Sequence, residues 1–237
     1  RDLHSFPTRR SSDLTCEITN RKEYMDAERD LIMYLQKYKD ADDDKIAKAM
    51  RGEVMVRINI LRQISARGKV RDVIEFVKDF RENGKKIILF CSLHEVVDQL
   101  KRYFPTAVSV TGRDSQDEKQ RAVDAFQNNP KADIIICSIK AAGVGLTLTA
   151  SSNVAFVEFP WTYADCCQCE DRAHRIGQKD SVTCYYFLGR RTIDEKVYRI
   201  IQEKKNIANA VTGSTEDIEE NIVDMVARIF DTDYDDE

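Results

Sequence analysis

Residues 86–91 read Lys-Ile-Ile-Leu-Phe-Cys, and residues 133–137 read Asp-Ile-Ile-Ile-Cys. Both runs are short and apolar at consecutive positions, which is the pattern of a strand buried on both faces. Strands of this kind occur in parallel sheets that carry helices on both sides. The two runs therefore predict an α/β fold built on a parallel sheet.

Further strand-like runs alternate with helical patterns from about residue 85 onward, as expected for a parallel sheet with crossover helices. The predicted strands are 86–91, 107–110, 133–137, 154–159 and 182–188. Right-handed crossovers between such strands place helices on both faces of the sheet. In sheets of this type, the loops that leave the carboxyl ends of the strands bind the ligand. The loops after residues 137 and 159 should therefore lie on the functional edge.

The first of these loops contains Gly143-Val-Gly145 and then Thr147. The glycines allow backbone N–H groups to approach a phosphate, and the threonine offers a hydroxyl to the same region. A Gly-x-Gly sequence by itself is more simply a tight turn. The second loop contains Pro160-Trp161, and this tryptophan either contacts nucleic acid or anchors the loop by packing. The residues alone leave these alternatives open.

Residues 168–178 read Gln-Cys-Glu-Asp-Arg-Ala-His-Arg-Ile-Gly-Gln. Arg172 and Arg175 are three positions apart, so on a helix both would point the same way, and the helix would end at Gly177. Two guanidinium groups on one face can neutralise the charge of a phosphoryl group in transfer. Basic residues at this spacing are more often a solvated helix face, so the surrounding segments decide between the two interpretations.

Taken together, these segments resemble the second RecA-like lobe of Swi/Snf-type ATP-dependent DNA translocases. The family's late motifs occur in order between Lys86 and Gln178, and weaker matches extend from about Lys69 to about Ala210. The motifs are a strand ending in Leu89 to Cys91, a Thr111-Gly112 turn before a helix with Arg121 and Phe126, the Gly-x-Gly-Leu segment, the Pro160-Trp161 corner and the Gln168–Gln178 signature.

The resemblance implies roles for individual residues. Arg172 and Arg175 would be catalytic arginine fingers, and the nucleotide cleft would also include Gly143, Gly145, Gln168, Asp171 and Gln178. Double-stranded DNA would be bound chiefly through its phosphate backbone. The residues expected to contact it are Ser92, His94, Thr111, Arg113, Lys140, Thr147 and Trp161. Lys140 stands where the family more often has arginine, which keeps a phosphate contact but not a bidentate one.

The implied cofactor is ATP with magnesium, yet the sequence contains no Gly-x-x-x-x-Gly-Lys-Ser/Thr phosphate loop. Neither Gly68-Lys69 nor Gly84-Lys85 has the preceding glycine or the following Ser/Thr that this loop requires. No Asp-Glu-x-His magnesium box occurs either. In this class of motor the first lobe supplies those groups. The chain is therefore expected to hold half of an active site and to work with a first lobe in cis.

Three functions remain open at this point. The first is the C-terminal motor lobe of an ATP-dependent translocase on double-stranded DNA. The second is the corresponding lobe of a strand-separating helicase or a restriction-type translocase. The third is a stand-alone, non-catalytic module that binds nucleic acid or protein. The complete arginine signature favours a motor.

Residues 1–14 look like an in-frame translation of a sequencing-library adapter, so they are set aside, and the native chain is expected to be truncated before Thr15. The predicted organisation is then a helical protrusion or lead-in over 15–68, the RecA-like lobe over 69–190, and a brace helix with an acidic tail over 191–237. Residues 54–60 fit a strand or a helix. We favour a helix because the resembling family places helical protrusions before its second lobe.

Composition fits a soluble intracellular protein. Hydrophobic residues make up 42% of 237, enough for a sizeable core, and the longest apolar runs are too short to cross a bilayer. The net charge, 37 minus 41 or −4, does not point to nucleic acid, although residues 231–237 alone contribute five negative charges. Seven cysteines without a framework spacing indicate reduced thiols. No metal site is expected, since Cys166 and Cys167 would point to different sides of a helix.

Overall fold

The computed structural model describes residues 9–39, 44–142, 145–158, 160–207, 223–226 and 230. The helices are α1 (Arg21–Lys39), α2 (Asp44–Glu82), α3 (His94–Tyr103), α4 (Gln116–Asn128), α5 (Ile139–Ala142), α6 (Tyr163–Glu170) and α7 (Ile193–Ile207). The strands are β1 (Arg9–Cys16), β2 (Ile87–Cys91), β3 (Val108–Val110), β4 (Ile134–Ser138), β5 (Asn153–Phe156) and β6 (Val182–Gly189). Two compact units are present, a sheet unit (1–17 and 69–188) and a helical unit (18–68 and 189–237).

The sheet unit is built on six strands in the order β1-β6-β5-β2-β4-β3. Strand β2 pairs in parallel with both β4 and β5, and Ile88 lies opposite Ile135 on one side and Val154 on the other. The pairs β3–β4 and β5–β6 are also parallel. Every residue of β2 and β4 is buried, as the consecutive apolar positions predict. The prediction of an α/β fold with a parallel sheet is confirmed.

Five of the six strands were predicted, and most ends agree closely. The largest difference is at β5, which ends at Phe156 rather than at residue 159. The backbone N–H groups of Val157 and Glu158 still donate to the Phe90 carbonyl, at 3.0 and 3.4 Å. The chain therefore remains against β2 for two residues beyond the strand itself, and this places Glu158 at the carboxyl end of β2.

Aromatic rings fill the space around the central strands. Phe90, Phe156 and Tyr186 stack across three neighbouring strands, with ring centroids 5.2 and 4.9 Å apart. In α2, Phe76 packs edge-on against Tyr185 of β6, with centroids 5.0 Å apart. These contacts fix α2 beyond residue 69 and the central strands as one hydrophobic core.

A fully buried lysine lies within this core. The Nζ of Lys69 donates hydrogen bonds of 2.8 Å to the carbonyl oxygens of Val157 and Phe187. Buried charges are tolerated when hydrogen bonds replace their hydration. Lys69 therefore ties α2 to the chain after β5 and to β6, and the Gly68-Lys69 pair serves a helix rather than a phosphate loop.

The helical unit is held by polar contacts around the turn after β6. The hydroxyl of Tyr24 accepts a 2.6 Å hydrogen bond from the backbone N–H of Ile193, and the guanidinium of Arg21 donates to the carbonyl oxygens of Arg190 and Arg191. The segment that precedes α1 approaches α2 closely at Gly68, where a Cβ would lie 2.2 Å from the side-chain oxygen of Asn20. Any larger residue would push this segment away from α2.

Residues 54–60 are part of α2, so the helical interpretation of this ambiguous segment is confirmed. Val54, Ile58 and Leu61 are completely buried, as the helical spacing requires. Within the predicted brace and tail, 191–237, helix α7 covers 193–207, and the tail from residue 231 lies outside the described residues.

Strand β1 includes residues 9–14, which are set aside above on sequence grounds. It lies at the edge of the sheet beside β6, where pairing depends on backbone groups and many extended sequences can be accommodated. The adapter-derived origin of these residues stays a prediction. Within the described part of the chain, no helix combines the length and apolarity needed to cross a membrane.

Candidate functional site

The carboxyl ends of the parallel strands form one edge of the sheet, and the residues predicted to contact DNA follow these ends. Ser92 and His94 come after β2, Thr111 and Arg113 after β3, Lys140 after β4 and Trp161 after β5. Ser92, Arg113 and Lys140 are exposed, His94 and Trp161 are half-buried, and Thr111 is buried. The fold thus brings these loops to a single edge. Their contact with DNA stays a prediction.

The chain changes direction between β2 and β5, which are neighbours in the sheet. After β2 it leads to β3 on one side, and after β5 it leads to β6 on the other. Such a point opens a crevice at the carboxyl ends of the two strands, where α/β sheets commonly bind ligands. The carboxylate of Glu158 lies there and accepts 2.8 Å hydrogen bonds from the backbone N–H groups of Ser92 and Leu93. Sequence patterns did not single out Glu158.

The turn after β3 is closed by its own side chains. The carboxylate of Asp114 accepts from the backbone N–H of Thr111 at 2.6 Å and from its hydroxyl at 2.9 Å. Arg113 is exposed, and its guanidinium forms an ion pair of 3.0 Å with Asp98 on α3. The Thr111 hydroxyl is therefore used inside the turn, whereas Arg113 presents a charge at the surface.

The glycine-containing loop is described from Gly145 onward, and Gly143 lies outside the described residues. Gly145 has a φ of +55°, a left-handed conformation that residues with a Cβ rarely adopt. Farther along, Thr147 is exposed and Leu148 is buried. The backbone N–H of Leu148 donates a 2.8 Å hydrogen bond to the carbonyl of Arg172. The glycine loop and the arginine signature are thus in direct contact.

The expectation that Arg172 and Arg175 lie on a helix is wrong. Helix α6 ends at Glu170, and residues 171–177 form successive turns, which we call the arginine turn. The last helical hydrogen bond runs from the His174 N–H to the Glu170 carbonyl at 3.1 Å, and the Arg175 N–H then donates to the nearby Ala173 carbonyl at 3.1 Å instead of to Asp171. The Arg172 carbonyl accepts from Leu148 in the distant glycine loop.

The two arginines nevertheless lie close enough to affect each other. Arg172 is only 5% exposed, and its Nε has no hydrogen-bond partner among the described residues. Burial, followed by the positive charge of Arg175, lowers the pKa of Arg172. The charge of Asp171 offsets these effects only in part, since the pKa is lowered overall. A buried cation that is incompletely compensated is unfavourable. The arrangement would therefore be stabilised by an arriving anion.

Arg175 connects the arginine turn to the glycine loop. Its Nη1 donates to the carbonyl of Gly145 and to the hydroxyl of Thr147, both at 3.2 Å. The side chain is half-buried, and a guanidinium has five N–H donors. Several donors therefore remain for a ligand while this connection is kept.

Two glutamine side chains hold the next part of the glycine loop. The amide nitrogen of Gln178 donates to the Ser151 carbonyl at 2.9 Å and to the Ala173 carbonyl at 3.2 Å. Gln127 on α4 accepts from the Ala150 N–H at 2.8 Å and donates to the Thr149 hydroxyl at 3.1 Å. Gln178 was expected to line the nucleotide cleft. In the structure its side-chain amide donates hydrogen bonds to backbone carbonyls of the chain itself.

Gln127 was missed, because a polar residue near the end of a helix carries no sequence signal for such a long-range contact. Of the other residues predicted for the cleft, Gln168 is exposed on α6 and Asp171 is the residue at its C-terminal cap. Whether either contacts a nucleotide stays a prediction.

The cysteines ahead of the arginine turn are free thiols. Cys166 and Cys169 are buried, and burial raises the pKa of both thiols, that of Cys169 to about 12. In the described part of the chain, no group of three His, Cys, Asp or Glu side chains could hold a metal ion. Cys166 and Cys169 therefore lie on the buried side of α6.

Comparison with known proteins gives a family match and a similar relative. The model of the family described as "Helicase conserved C-terminal domain" matches residues 68–177. A Xenopus tropicalis protein named "SWI/SNF-related matrix-associated actin-dependent regulator of chromatin subfamily A-like protein 1" is 33% identical over 145 residues, covering 59% of this chain and 15% of that protein. The chain therefore spans a small part of this relative's length.

Two solved structures are similar in fold. The C-terminal part of the Fun30 ATPase domain superposes with a TM-score of 0.69 at 16% identity, covering 92% of this chain and 99% of that one. The Sulfolobus solfataricus SWI2/SNF2 ATPase core in complex with dsDNA has a TM-score of 0.69 at 20% identity, covering 90% of this chain and 48% of that one. At these identities the likeness bears on the fold alone, which is RecA-like.

Proposed function

We infer the function from one premise: the chain belongs, through residues 68–177, to the helicase C-terminal domain family and is of the Swi/Snf type. The intact protein is then a DNA-stimulated ATPase that moves along double-stranded DNA. This lobe would deliver Arg172 and Arg175 to ATP held on a first lobe. The observation that carries the proposal is the buried guanidinium of Arg172, whose Nε has no partner among the described residues, beside a second arginine.

In this role Arg172 acts on the phosphate groups. Its burial keeps water away from the guanidinium, so a phosphate oxygen would interact with a positive charge that solvent screens only weakly. The negative charge that spreads over a transferring phosphoryl group is what two converging guanidiniums stabilise best. The unpartnered Nε supplies one donor for that purpose.

Arg175 would add a second positive charge and link the nucleotide to the glycine loop. Its bonds to Gly145 and Thr147 mean that a shift of the guanidinium on binding phosphate would pull on that loop. The loop begins after β4, at the edge that holds Lys140 and the other proposed DNA contacts. Through this connection, binding or hydrolysis of the nucleotide would change the affinity of this edge for DNA.

The two arginine side chains fit the phosphate groups of ATP but not its magnesium ion. Guanidinium groups suit phosphate oxygens, while magnesium requires carboxylate and water oxygens. No suitable acidic cluster occurs among the residues that the structure describes. The metal and the phosphate loop would therefore come from the first lobe, and this chain would contribute charge stabilisation only.

DNA binding would rest on the edge formed by the carboxyl ends of the strands. Lys140 and Arg113 present exposed charges, and Ser92 lies at the crevice between β2 and β5. Contacts of this kind reach phosphates and carry no sequence information, which suits a protein that moves over any sequence. The partner is accordingly double-stranded DNA.

The proposal is tested by DNA-stimulated ATP hydrolysis in the protein translated from the complete native reading frame. Arg175→Ala should lower turnover by about a thousandfold or more, the usual effect of losing an arginine finger. Arg102→Ala, which removes an exposed charge from α3, should leave turnover near normal. A complete reading frame without a phosphate loop would instead favour a non-catalytic interaction module. Near-normal hydrolysis by Arg175→Ala would show that the arginine-finger assignment is wrong.

A further inference from the structure

Glu158 makes a contact that the proposed mechanism does not use. One oxygen of its carboxylate, Oε2, accepts hydrogen bonds from two successive backbone N–H groups, those of Ser92 and Leu93, both at 2.8 Å. Hydrogen bonds to an ionised acceptor are stronger than neutral ones. The side chain thereby joins the chain leaving β5 to the chain leaving β2.

These two segments carry proposed DNA contacts. Ser92 and His94 stand immediately after β2, and Trp161 stands three residues beyond Glu158. Helix α3 begins at His94, and its N-cap residue is Leu93, which has no side-chain acceptor. A polar N-cap would normally fix such a helix start. Here the carboxylate from the neighbouring loop anchors the segment instead.

The backbone supports the same arrangement. The N–H groups of Val157 and Glu158 donate to the Phe90 carbonyl, so the chain that carries the carboxylate is itself held against β2. The atoms on both sides of the bridge are therefore fixed by the sheet. A change at Glu158 would release the loop ends and leave the strands in place.

We propose that Glu158 is a positioning residue of the DNA-binding edge: its carboxylate holds the Ser92–His94 segment and the Pro160-Trp161 corner in the arrangement that binds the phosphate backbone. The proposal rests on the proposed function, because it assumes that this edge binds DNA. It assigns Glu158 no direct contact with the nucleic acid.

The proposal predicts an effect opposite in sign to simple electrostatics. A carboxylate near DNA repels phosphates, so removing a bystander carboxylate should strengthen binding. Removing a carboxylate that positions the binding loops should weaken binding, even though a negative charge is lost. The sign of the change therefore separates the two roles.

The experiment measures binding of the 237-residue chain to a short double-stranded oligonucleotide by fluorescence anisotropy at low salt. Glu158→Ala should bind about tenfold more weakly, since two charge-assisted hydrogen bonds are lost. Glu158→Gln, whose amide oxygen can still accept from the backbone, should bind as tightly as the wild type or more tightly. Glu95→Ala, which removes an exposed carboxylate from the first turn of α3, gives the baseline for loss of a negative charge near the edge and should bind no more weakly than the wild type.

A shorter side chain provides a test that does not change the charge. Glu158→Asp keeps the carboxylate but retracts it, so it should also bind more weakly, whereas a bystander role predicts no change. This variant decides the matter if thermal melting shows that Glu158→Ala does not fold. Binding by Glu158→Asp equal to the wild type would overturn the proposal.

The outcomes also separate this proposal from the one on which it rests. If the wild-type chain binds no DNA at low salt, both the assignment of the DNA-binding edge and the positioning role of Glu158 are wrong. If the wild type binds and Glu158→Ala binds as tightly as Glu95→Ala, only the positioning role is overturned.

Discussion

The Nη1 of Arg175 and the hydroxyl of Thr147 lie 3.2 Å apart, in a hydrogen bond between residues 28 positions apart in the sequence. The same nitrogen donates to the Gly145 carbonyl at 3.2 Å. Arg175 is thus oriented by the glycine loop rather than by the regular geometry of a helix. The threonine hydroxyl is the one side-chain group in this pair of contacts, so it can be removed by mutation.

Thr147→Val removes that hydroxyl and keeps the shape of the side chain. Under the proposed function, ATP turnover by the complete protein should fall by about tenfold, since one of two bonds that orient Arg175 is lost, while the KM for ATP changes little. Steady-state kinetics with saturating DNA measure this. Thr106→Val serves as the control because Thr106 follows α3 and precedes β3, at the other end of the strands. A rise in KM with unchanged kcat would contradict the account.

Gln178→Leu tests how far the arginine turn depends on internal hydrogen bonds. The Ser151 carbonyl would lose its side-chain donor and the Ala173 carbonyl one of its two donors, and the free energy of unfolding should fall by about 2 kcal/mol. Urea unfolding of the chain measures the loss. The control is Gln120→Leu, an exposed glutamine paired with Asp124 on α4, for which about 0.5 kcal/mol or less is expected. Equal losses in the two variants would argue against the role of Gln178.

Lys140→Ala tests the phosphate contact after β4. Binding to duplex DNA should weaken, and the slope of log K against log salt should decrease in magnitude by about 0.9, the value for one phosphate contact. A salt titration of anisotropy measures both. Lys131→Ala removes an exposed lysine that precedes β4, at the opposite edge of the sheet, and should leave the slope unchanged. Weaker binding with an unchanged slope for Lys140→Ala would contradict a phosphate contact.

Acid should weaken the start of α4 through Glu118. Its carboxylate accepts from the backbone N–H of Ser115 and then from the Ser115 hydroxyl, and these bonds lower the pKa of Glu118 from its ordinary value of 4.5. A carboxylate whose folded-state pKa is depressed stabilises the fold above the unfolded-state pKa, and the effect is lost as pH falls through the folded-state pKa. The stability difference between wild type and Glu118→Gln should therefore be full above pH 4.5 and shrink below it. A difference that does not vary with pH in urea unfolding would exclude this linkage.

Much of the fold follows from local pattern. Residues 87–91 and 134–138 could be placed as strands because burial on both faces requires apolar side chains at every position. The ambiguous segment at 54–60 is a helix because only helical spacing puts Val54, Ile58 and Leu61 on one face. The functional edge then follows from the polarity of parallel strands.

The site was less predictable, because its contacts join residues far apart in sequence. The arginine turn is not helical, and the Arg172 carbonyl accepts a hydrogen bond from the backbone N–H of Leu148. No local sequence pattern predicts that contact. Gln127 and Glu158 act through single hydrogen-bonding groups at the ends of elements. Positions of this kind tolerate many residue types locally, so only the tertiary structure identifies them.

Single-turnover hydrolysis by Arg172→Ala in the complete protein, with ATP affinity measured separately, shows whether this guanidinium acts in the chemical step. The hydrolysis step should slow by about a thousandfold or more while ATP still binds, because the buried guanidinium acts on charge that develops in the transition state. Hydrolysis within a few-fold of the wild type at saturating ATP and DNA would contradict this role.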